Sequence, residues 1–157
     1  MLINNQIKNY LSVIIPVYNE EDNIKPLFDS IQEHLYEYKY EIIFVDDFST
    51  DQTRQNVLKL NADNVVLIEM RKNFGQSLAL AAGFEYASGD YIITMDGDLQ
   101  NDPSDIPEML ITLIEEDWDI VTGIRKKRKD TFIRTFPSKI ANFIVRYTTK
   151  LNLKDQG

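Results

Sequence analysis

The stretch Tyr91-Ile92-Ile93-Thr94-Met95-Asp96-Gly97-Asp98-Leu99-Gln100 joins an apolar run to two carboxylates that stand one residue apart. The run Tyr91–Thr94 predicts a buried β-strand, and the polar residues Asn101–Ser104 predict a turn that enters a helix. Alternate residues of an extended segment point the same way, so Asp96 and Asp98 can face one site. Carboxylates this close repel each other unless a cation or hydrogen-bond donors satisfy them. A divalent cation site is therefore one interpretation, and a solvated acidic turn is the other.

Composition restricts the class of protein. The chain has 157 residues, 43% of them hydrophobic, which is enough for one domain with a substantial core. The absence of cysteine excludes disulfides and thiolate metal sites, and fits a reducing compartment. No apolar run reaches the roughly 18 residues of a membrane-spanning helix. We expect no secretory leader, because the N-terminus lacks the basic and apolar regions of one.

Charge is distributed unevenly along the chain, whose net charge is −8. Residues 1–124 contain 7 basic and 23 acidic residues, a net charge of −16. Residues 125–157 contain 10 basic and 2 acidic residues, a net charge of +8, and begin with five consecutive cations. This basic segment fits an anionic partner, such as a phosphate group or an anionic membrane surface. Equally, it could complement the acidic body.

Five short apolar segments predict β-strands. They are Leu11–Ile15, Glu41–Val45, Val65–Ile68, Tyr91–Thr94 and Asp119–Gly123. Segments with helical spacing alternate with them, as in proteins whose parallel sheet is covered by helices on both faces. The sequence therefore predicts an α/β fold with a mainly parallel sheet, in a single domain.

The first three predicted helices follow polar turns. Asn19 is the predicted cap of a helix with the apolar face Ile24, Leu27, Phe28, Ile31 and Leu35. Ser49-Thr50-Asp51-Gln52 predicts a capping box for a short helix that ends near Leu60. The Ala-rich segment Gln76–Ala87 predicts the third helix.

Two further helices are predicted toward the C-terminus. Ser104 is the predicted cap of a helix with the apolar face Ile106, Met109, Leu110, Leu113 and Ile114. An amphipathic helix then runs from Arg134 or Pro137 to Leu151. Its apolar face fits core packing or binding to a membrane surface.

Polar side chains follow four of the predicted strands at their carboxyl ends. The clusters are Pro16-Val17-Tyr18-Asn19-Glu20, Asp46-Asp47, Asp96-Gly97-Asp98 and Gly123-Ile124-Arg125. In an open parallel sheet these strand ends lie at one edge, where ligands bind. Their convergence favours a functional site over an isolated acidic turn.

The acidic pair suits a cation that bridges two phosphates. Carboxylates at Asp96 and Asp98, with the amide oxygen of Gln100 as a neutral ligand, would hold a hard divalent ion. Such an ion stabilises charge on a leaving diphosphate, and Arg125 could add a bidentate phosphate contact.

The neighbouring clusters suit a nucleoside. One of Asp46 and Asp47 is suited to accept hydrogen bonds from a base or ribose, and Tyr18 could stack on the base. Together these groups fit displacement of a nucleoside diphosphate. Glycine-rich dinucleotide and P-loop signatures are absent from the sequence, and His34 is its only histidine, which leaves no Ser/His/Asp triad.

Several segments resemble the signatures of inverting family-two glycosyltransferases of the GT-A fold. They are Ile14-Ile15-Pro16-Val17-Tyr18-Asn19-Glu20, Val45-Asp46-Asp47-Phe48-Ser49-Thr50-Asp51 and Met95-Asp96-Gly97-Asp98-Leu99-Gln100. Others resemble the polyprenyl-phosphate branch of that family, namely Asn73-Phe74-Gly75-Gln76, Ala82-Gly83-Phe84, Gly89-Asp90 and Asp155-Gln156-Gly157. The resemblance covers about residues 10–157, with 10–124 as the nucleotide-sugar core and 125–157 as an acceptor-side or membrane-facing segment. It leads us to expect further acceptor-side residues beyond Gly157.

The resemblance implies a role for each matching position. The implied nucleotide-sugar ligands are Pro16, Tyr18, Glu20, Val45, Asp46, Asp47, Asp96, Gly97, Asp98 and Arg125. The implied metal ligands, for Mg or Mn, are Asp96, Asp98 and Gln100. The implied catalytic residues are Asp98, Arg125 and Arg134. Phe48 replaces the usual small or acidic residue and Gly97 the usual Ala, and Phe48 could reshape the base pocket.

By the same resemblance, the expected reaction is transfer of a sugar, with inversion, from a UDP- or GDP-linked donor to a polyprenyl phosphate. It implies action at the cytoplasmic side of a membrane surface, no nucleic acid partner, and allows a homo-oligomer. Two alternatives stay open at this point. One is transfer to a sugar hydroxyl of a polysaccharide, which needs a general base. The other is a nucleotide-sugar-binding module without turnover.

Overall fold

In the computed structural model, residues 10–123 are described. The secondary-structure elements, in chain order, are β1 (Tyr10–Val17), α1 (Ile24–Leu35), β2 (Lys39–Asp46), α2 (Thr53–Lys59), β3 (Val65–Glu69), α3 (Gln76–Tyr86), β4 (Tyr91–Thr94), a 3-10 turn (Pro103–Asp105) and α4 (Ile106–Glu115). The predicted helix between Arg134 or Pro137 and Leu151 lies outside the described residues, as does the basic segment.

The four strands form one parallel sheet in the order β3-β2-β1-β4. Register pairs Val17 with Asp46 and Asp46 with Glu69, so β1, β2 and β3 end level with one another. The crossovers between parallel strands are helical, which places helices on the sheet faces. The predicted α/β fold is therefore confirmed.

The two faces of the sheet hold cores of different size. On one face, alternate β1 residues from Leu11 to Val17 pack against α1, α2 and α4. All five residues of the predicted α1 face are buried there. On the other face, Ile14, Ile43 and Val45 pack against Ala79 of α3. Gly83 lets α3 lie close to this face, because a Cβ there would clash with Ile14 Cγ2.

The predicted helix caps were wrong. α1 begins at Ile24 after Asn23, while Asn19 has a positive φ of 55° and its side chain accepts a hydrogen bond from Thr50 N–H. α2 begins at Thr53 after Gln52, which makes no side-chain cap bond. At the 3-10 turn the capping carboxylate is Asp102, which accepts from the N–H of Ser104. At α1 and α2 the predicted capping residues instead make hydrogen bonds between the two loops that precede these helices, whereas at the 3-10 turn the neighbouring Asp102 is the cap in place of Ser104.

The predicted fifth strand is also absent from the part of the chain that is described. Residues 119–123 are irregular, and Ile120 is 77% exposed. A strand there would need a neighbouring strand to pair with its backbone N–H and C=O groups, and no strand among the described residues does so. Within residues 10–123, no helix is long and apolar enough to cross a membrane.

Candidate active site

A cavity of about 310 Å³ opens at the carboxyl edge of the sheet, between the ends of β1, β2 and β4. Its lining is Pro16, Val17, Tyr18, Glu20, Asp47, Gln76, Asp96, Gly97 and Asp98. Three of the predicted strand-end clusters therefore contribute to one site. β1 and β2 end level with each other and β4 ends beside Ile14 of β1, so the loops that follow these three strands all start at the carboxyl edge.

Asp46 and Asp47 are adjacent but have different environments. Asp46 is fully buried, accepts from the N–H of Ser49 at 3.1 Å, and lies 3.6 Å from Arg54 Nε. It holds the β2–α2 loop and is not in the cavity lining, and Val45 is packed against α3. Asp47 lines the cavity, and its carboxylate accepts from the N–H groups of Phe74 and Gly75, each at 2.7 Å.

Backbone-to-side-chain hydrogen bonds clasp the β1–α1 loop to the β2–α2 loop. Asn19 N–H donates to Ser49 Oγ at 3.0 Å, and Thr50 N–H donates back to Asn19 Oδ1 at 2.8 Å. Glu20 N–H donates to Thr53 Oγ1 at 2.8 Å. These bonds join the loop that carries Tyr18, which is 47% exposed, to the loop that follows Asp47, and both residues line the cavity.

The carboxylate of Asp51 also takes part in the hydrogen bonds between these two loops. Asp51 accepts hydrogen bonds from the N–H and hydroxyl of Thr53 and from the N–H of Glu21. Desolvation raises the pKa of Asp51, but these hydrogen bonds outweigh it and lower the pKa below its usual value. The carboxylate therefore stays ionised and keeps the two loops joined.

The loop after β4 is tightly folded around the acidic pair. Asp96 N–H donates to Asn101 Oδ1 at 2.8 Å, and Gln100 N–H donates to Asp98 Oδ1 at 3.1 Å. Leu99 has a positive φ of 62°, an unfavourable conformation for this residue type. Gly97 is pressed against β1, since a Cβ there would lie 2.8 Å from Val17 Cγ1. Both carboxylates line the cavity as a result.

This donor set fits a hard divalent cation that also binds phosphate. Asp96 and Asp98 supply carboxylate oxygens to one cavity, as Mg or Mn sites with substrate phosphates require. Among residues 10–123, no three His, Cys, Asp or Glu side chains converge as a complete metal cage. Gln100 is exposed and outside the cavity lining. The side chains would thus hold a cation only together with further oxygen ligands.

Gln76 was missed as a site residue, although the sequence contains its motif, Asn73-Phe74-Gly75-Gln76. Its Nε2 donates to Asp96 Oδ1 at 2.8 Å. Gln76, Asp96 and Pro16 also line a second cavity of about 190 Å³, completed by Leu80, Thr94, Met95 and Asn101. The predicted catalytic residues Arg125 and Arg134 lie outside the described part of the chain.

Comparison with protein families gives a match over most of the chain. The family described as Glycosyl transferase family 2 matches residues 12–157. Dodecaprenyl-phosphate galacturonate synthase of Rhizobium johnstonii is 42% identical over 153 residues, which are 94% of this chain and 45% of that protein. Undecaprenyl-phosphate 4-deoxy-4-formamido-L-arabinose transferase of Shewanella sediminis is 38% identical over 164 residues, covering 98% and 47%. The chain thus spans about half the length of these relatives.

Solved structures show the same fold. A mannosyltransferase from Pyrobaculum calidifontis, in complex with GDP-Man and Mn²⁺, has a TM-score of 0.60 and 27% identity, covering 69% of this chain and 33% of that one. TarS residues 1–349 from S. aureus, in complex with UDP-GlcNAc, has a TM-score of 0.62 and 25% identity, covering 78% and 37%.

Proposed function

Since the chain belongs to glycosyl transferase family 2, we propose that its protein transfers a sugar from a nucleotide-sugar donor to a polyprenyl phosphate, with inversion at the anomeric carbon. The observation that carries the proposal is the single cavity in which Tyr18, Asp47 and the Asp96–Asp98 pair meet. The names of two relatives, which act on dodecaprenyl phosphate and undecaprenyl phosphate, support the choice of acceptor class.

The donor nucleotide lies across the cavity from the β1 end to the β4 end. Tyr18 offers an exposed ring for stacking on the base, and Asp47 offers acceptor capacity beyond its two backbone bonds. Asp46 has an indirect role: it accepts a hydrogen bond from the N–H of Ser49 and so holds the loop that follows Asp47. Related structures hold GDP-Man and UDP-GlcNAc, which supports a UDP- or GDP-linked donor.

The diphosphate lies at Asp96 and Asp98, which together would hold Mg or Mn. When bound, this cation neutralises charge on the leaving diphosphate. Two contacts keep both carboxylates on one cavity wall. Gly97 packs closely against β1, and Asp96 N–H donates a hydrogen bond to the side chain of Asn101. Gln100, two residues after Asp98 and joined to it through its backbone N–H, is the proposed third ligand.

The acceptor phosphate is already an anion, so its attack on the anomeric carbon requires no strong protein base. We assign Arg125 and Arg134 to the diphosphate and the incoming phosphate, because guanidinium groups pair bidentately with such anions. The net charge of +8 over residues 125–157 suits the cytoplasmic face of an anionic membrane, where a polyprenyl phosphate is embedded.

Calorimetric titration of this chain with UDP and with GDP, with and without Mn²⁺, tests the donor half. One nucleotide should bind with Mn²⁺ dependence, and Asp98→Ala should abolish that dependence without lowering the thermal unfolding temperature. Asp63→Ala is the matched control, because Asp63 is an exposed carboxylate in the α2–β3 loop. Unchanged nucleotide binding by Asp98→Ala would contradict the metal assignment.

The full-length protein tests the acceptor half. Sugar transfer to a polyprenyl phosphate should be lost in Asp98→Ala and kept in Asp63→Ala. Binding of the nucleotide without any transfer would favour a binding module. Transfer to a polysaccharide hydroxyl but not to the lipid phosphate would contradict the proposed acceptor.

A further inference from the structure

We infer that Gln76 is a positioning residue of the donor site, which fixes the Asp96 carboxylate and ties it to Asp47 on the opposite wall. This inference rests on the proposed function, since it gives a role to a residue of the same cavity. Gln76 joins the two walls because the turn before it is bound by Asp47 and its side chain is bound to Asp96.

The contact to Asp96 is direct. Gln76 Nε2 donates to Asp96 Oδ1 at 2.8 Å, within the range of a good hydrogen bond. Gln76 and Asp96 line both the larger and the smaller cavity, together with Pro16. The hydrogen-bonded pair therefore forms part of the partition between the two cavities, and its geometry decides how the carboxylate faces the larger one.

The backbone that carries Gln76 is held from two sides. Asp47 accepts the N–H groups of Phe74 and Gly75 at 2.7 Å each, which fixes the turn. Gly75 has φ 89° and ψ 160°, a conformation that side-chain-bearing residues rarely adopt. On its other side, Gln76 begins α3, whose Ala79 is fully buried against the sheet.

The chemistry of the donor suits a metal-ligand partner. A carboxamide N–H orients a carboxylate without neutralising it, whereas Lys or Arg at this position would compete with a cation for the same charge. Groups that hydrogen-bond a ligating carboxylate typically change metal affinity by about 10–100-fold when removed. Gln76 fits this role, and its position 20 residues before Asp96 in sequence explains why no local pattern indicates the pair.

Three variants of this chain separate orientation from packing. Gln76→Ala removes the side chain, Gln76→Met keeps its length but removes the donor, and Ser77→Ala changes the next, exposed residue of α3. Calorimetry with UDP and GDP, each with and without Mn²⁺, gives the ratio of nucleotide affinities with and without the metal. Thermal unfolding of each variant reports on the fold.

Both Gln76 variants should lower the Mn²⁺-dependent affinity by about tenfold, while Ser77→Ala keeps it and all three unfold as the wild type does. Wild-type affinity in Gln76→Met would overturn the inference, because packing alone would then suffice. An equal loss with and without Mn²⁺ would also overturn it. If the wild-type chain binds neither nucleotide, the proposed function fails instead, and the two failures are thus distinct.

Discussion

Carboxylates lie both at the end of the sheet where the strands begin, the amino edge, and at the end where they finish, the carboxyl edge. The environments of these carboxylates differ between the two edges. At the amino edge, Glu41 is only 7% exposed, and its Oε1 accepts hydrogen bonds from Ser12 Oγ at 2.6 Å and from the N–H and Oγ of Ser88 at 2.9 and 2.8 Å. At the carboxyl edge, Asp96 and Asp98 line a cavity large enough for a ligand. The buried, hydrogen-bonded Glu41 joins neighbouring segments of the fold. Asp96 and Asp98 instead present their negative charge to a cavity.

Residues with positive φ are also distributed unevenly between helix ends and strand ends. Five non-glycine residues among those described have positive φ. Asn61 and Asp117 each follow the C-cap residue of a helix, α2 and α4 respectively, where a left-handed residue is an ordinary helix termination. Asn19, Phe48 and Leu99 instead follow the carboxyl ends of β1, β2 and β4. Positive-φ residues that do not end a helix thus lie in the loops that follow the carboxyl ends of the strands, and Phe48 and Leu99 are residue types for which this conformation is unfavourable.

The largest expected effect on the free energy of unfolding comes from a substitution at the amino edge. Glu41→Ala should lower the free energy of unfolding by about 3 kcal/mol, because it removes the acceptor of three hydrogen bonds and leaves the hydroxyl of buried Ser12 without its acceptor. Chemical denaturation measures this, with exposed Glu33→Ala as the control, expected within about 0.5 kcal/mol of wild type. A loss below about 1 kcal/mol for Glu41→Ala would break the distinction between the edges.

Alanine substitutions at two glycines, one at each edge, should have smaller effects on the free energy of unfolding. A Cβ at Gly89 would lie 2.6 Å from Ser12 N, a backbone atom, whereas one at Gly97 would lie 2.8 Å from Val17 Cγ1, a side-chain methyl. Backbone yields less than a side chain, so denaturation should show a loss of about 2 kcal/mol for Gly89→Ala and about 1 kcal/mol for Gly97→Ala. Gly123→Ala, whose Cβ would meet only Met109 Sδ at 3.9 Å, is the control. Equal losses at Gly89 and Gly123 would contradict the close approach at the amino edge.

The smallest expected effect is pH-dependent. Desolvation raises the pKa of Glu41, but the hydrogen bonds from Ser12 and Ser88 outweigh it, so the pKa lies below its usual range. A depressed pKa means that the unfolded chain binds the proton first, so this stabilisation is complete above about pH 5 and is lost as pH falls through the folded-state pKa.

Glu41→Gln keeps an acceptor oxygen but removes the charge, and should cost about 1 kcal/mol at neutral pH. The difference in unfolding free energy between wild type and Glu41→Gln should shrink as the pH is lowered from 7 toward 3. A difference that stays constant over that range would show that ionised Glu41 does not stabilise the fold.

Local sequence patterns predicted the elements that bury apolar residues. The face of α1 from Ile24 to Leu35 was predicted residue by residue, because helical spacing records which side is buried. Strands β1 to β4 were predicted within a few residues. Residues 119–123 read as a strand but are irregular in the described structure, because an apolar run does not by itself supply a pairing partner.

Contacts between distant residues could not be predicted in the same way. Asn19 looked like a helix cap, but its partners Ser49 and Thr50 lie 30 and 31 residues away. Glu41 looked like the polar start of a strand, and its partner Ser88 is 47 residues away. Convergence of the site loops was predictable from topology, whereas the individual hydrogen bonds depend on how the loops pack.

Paramagnetic broadening by Mn²⁺ tests the central claim most directly, because it compares both edges in one experiment. Amide signals of the ¹⁵N-labelled chain would be followed with UDP or GDP and substoichiometric Mn²⁺, with Mg²⁺ as the diamagnetic control. The carboxyl-edge signals of Gly97 and Asp98 should broaden beyond detection, while those of Glu41 and Gly89 at the amino edge stay sharp. Uniform broadening, or broadening centred on the amino edge, would contradict a metal and diphosphate site at Asp96 and Asp98.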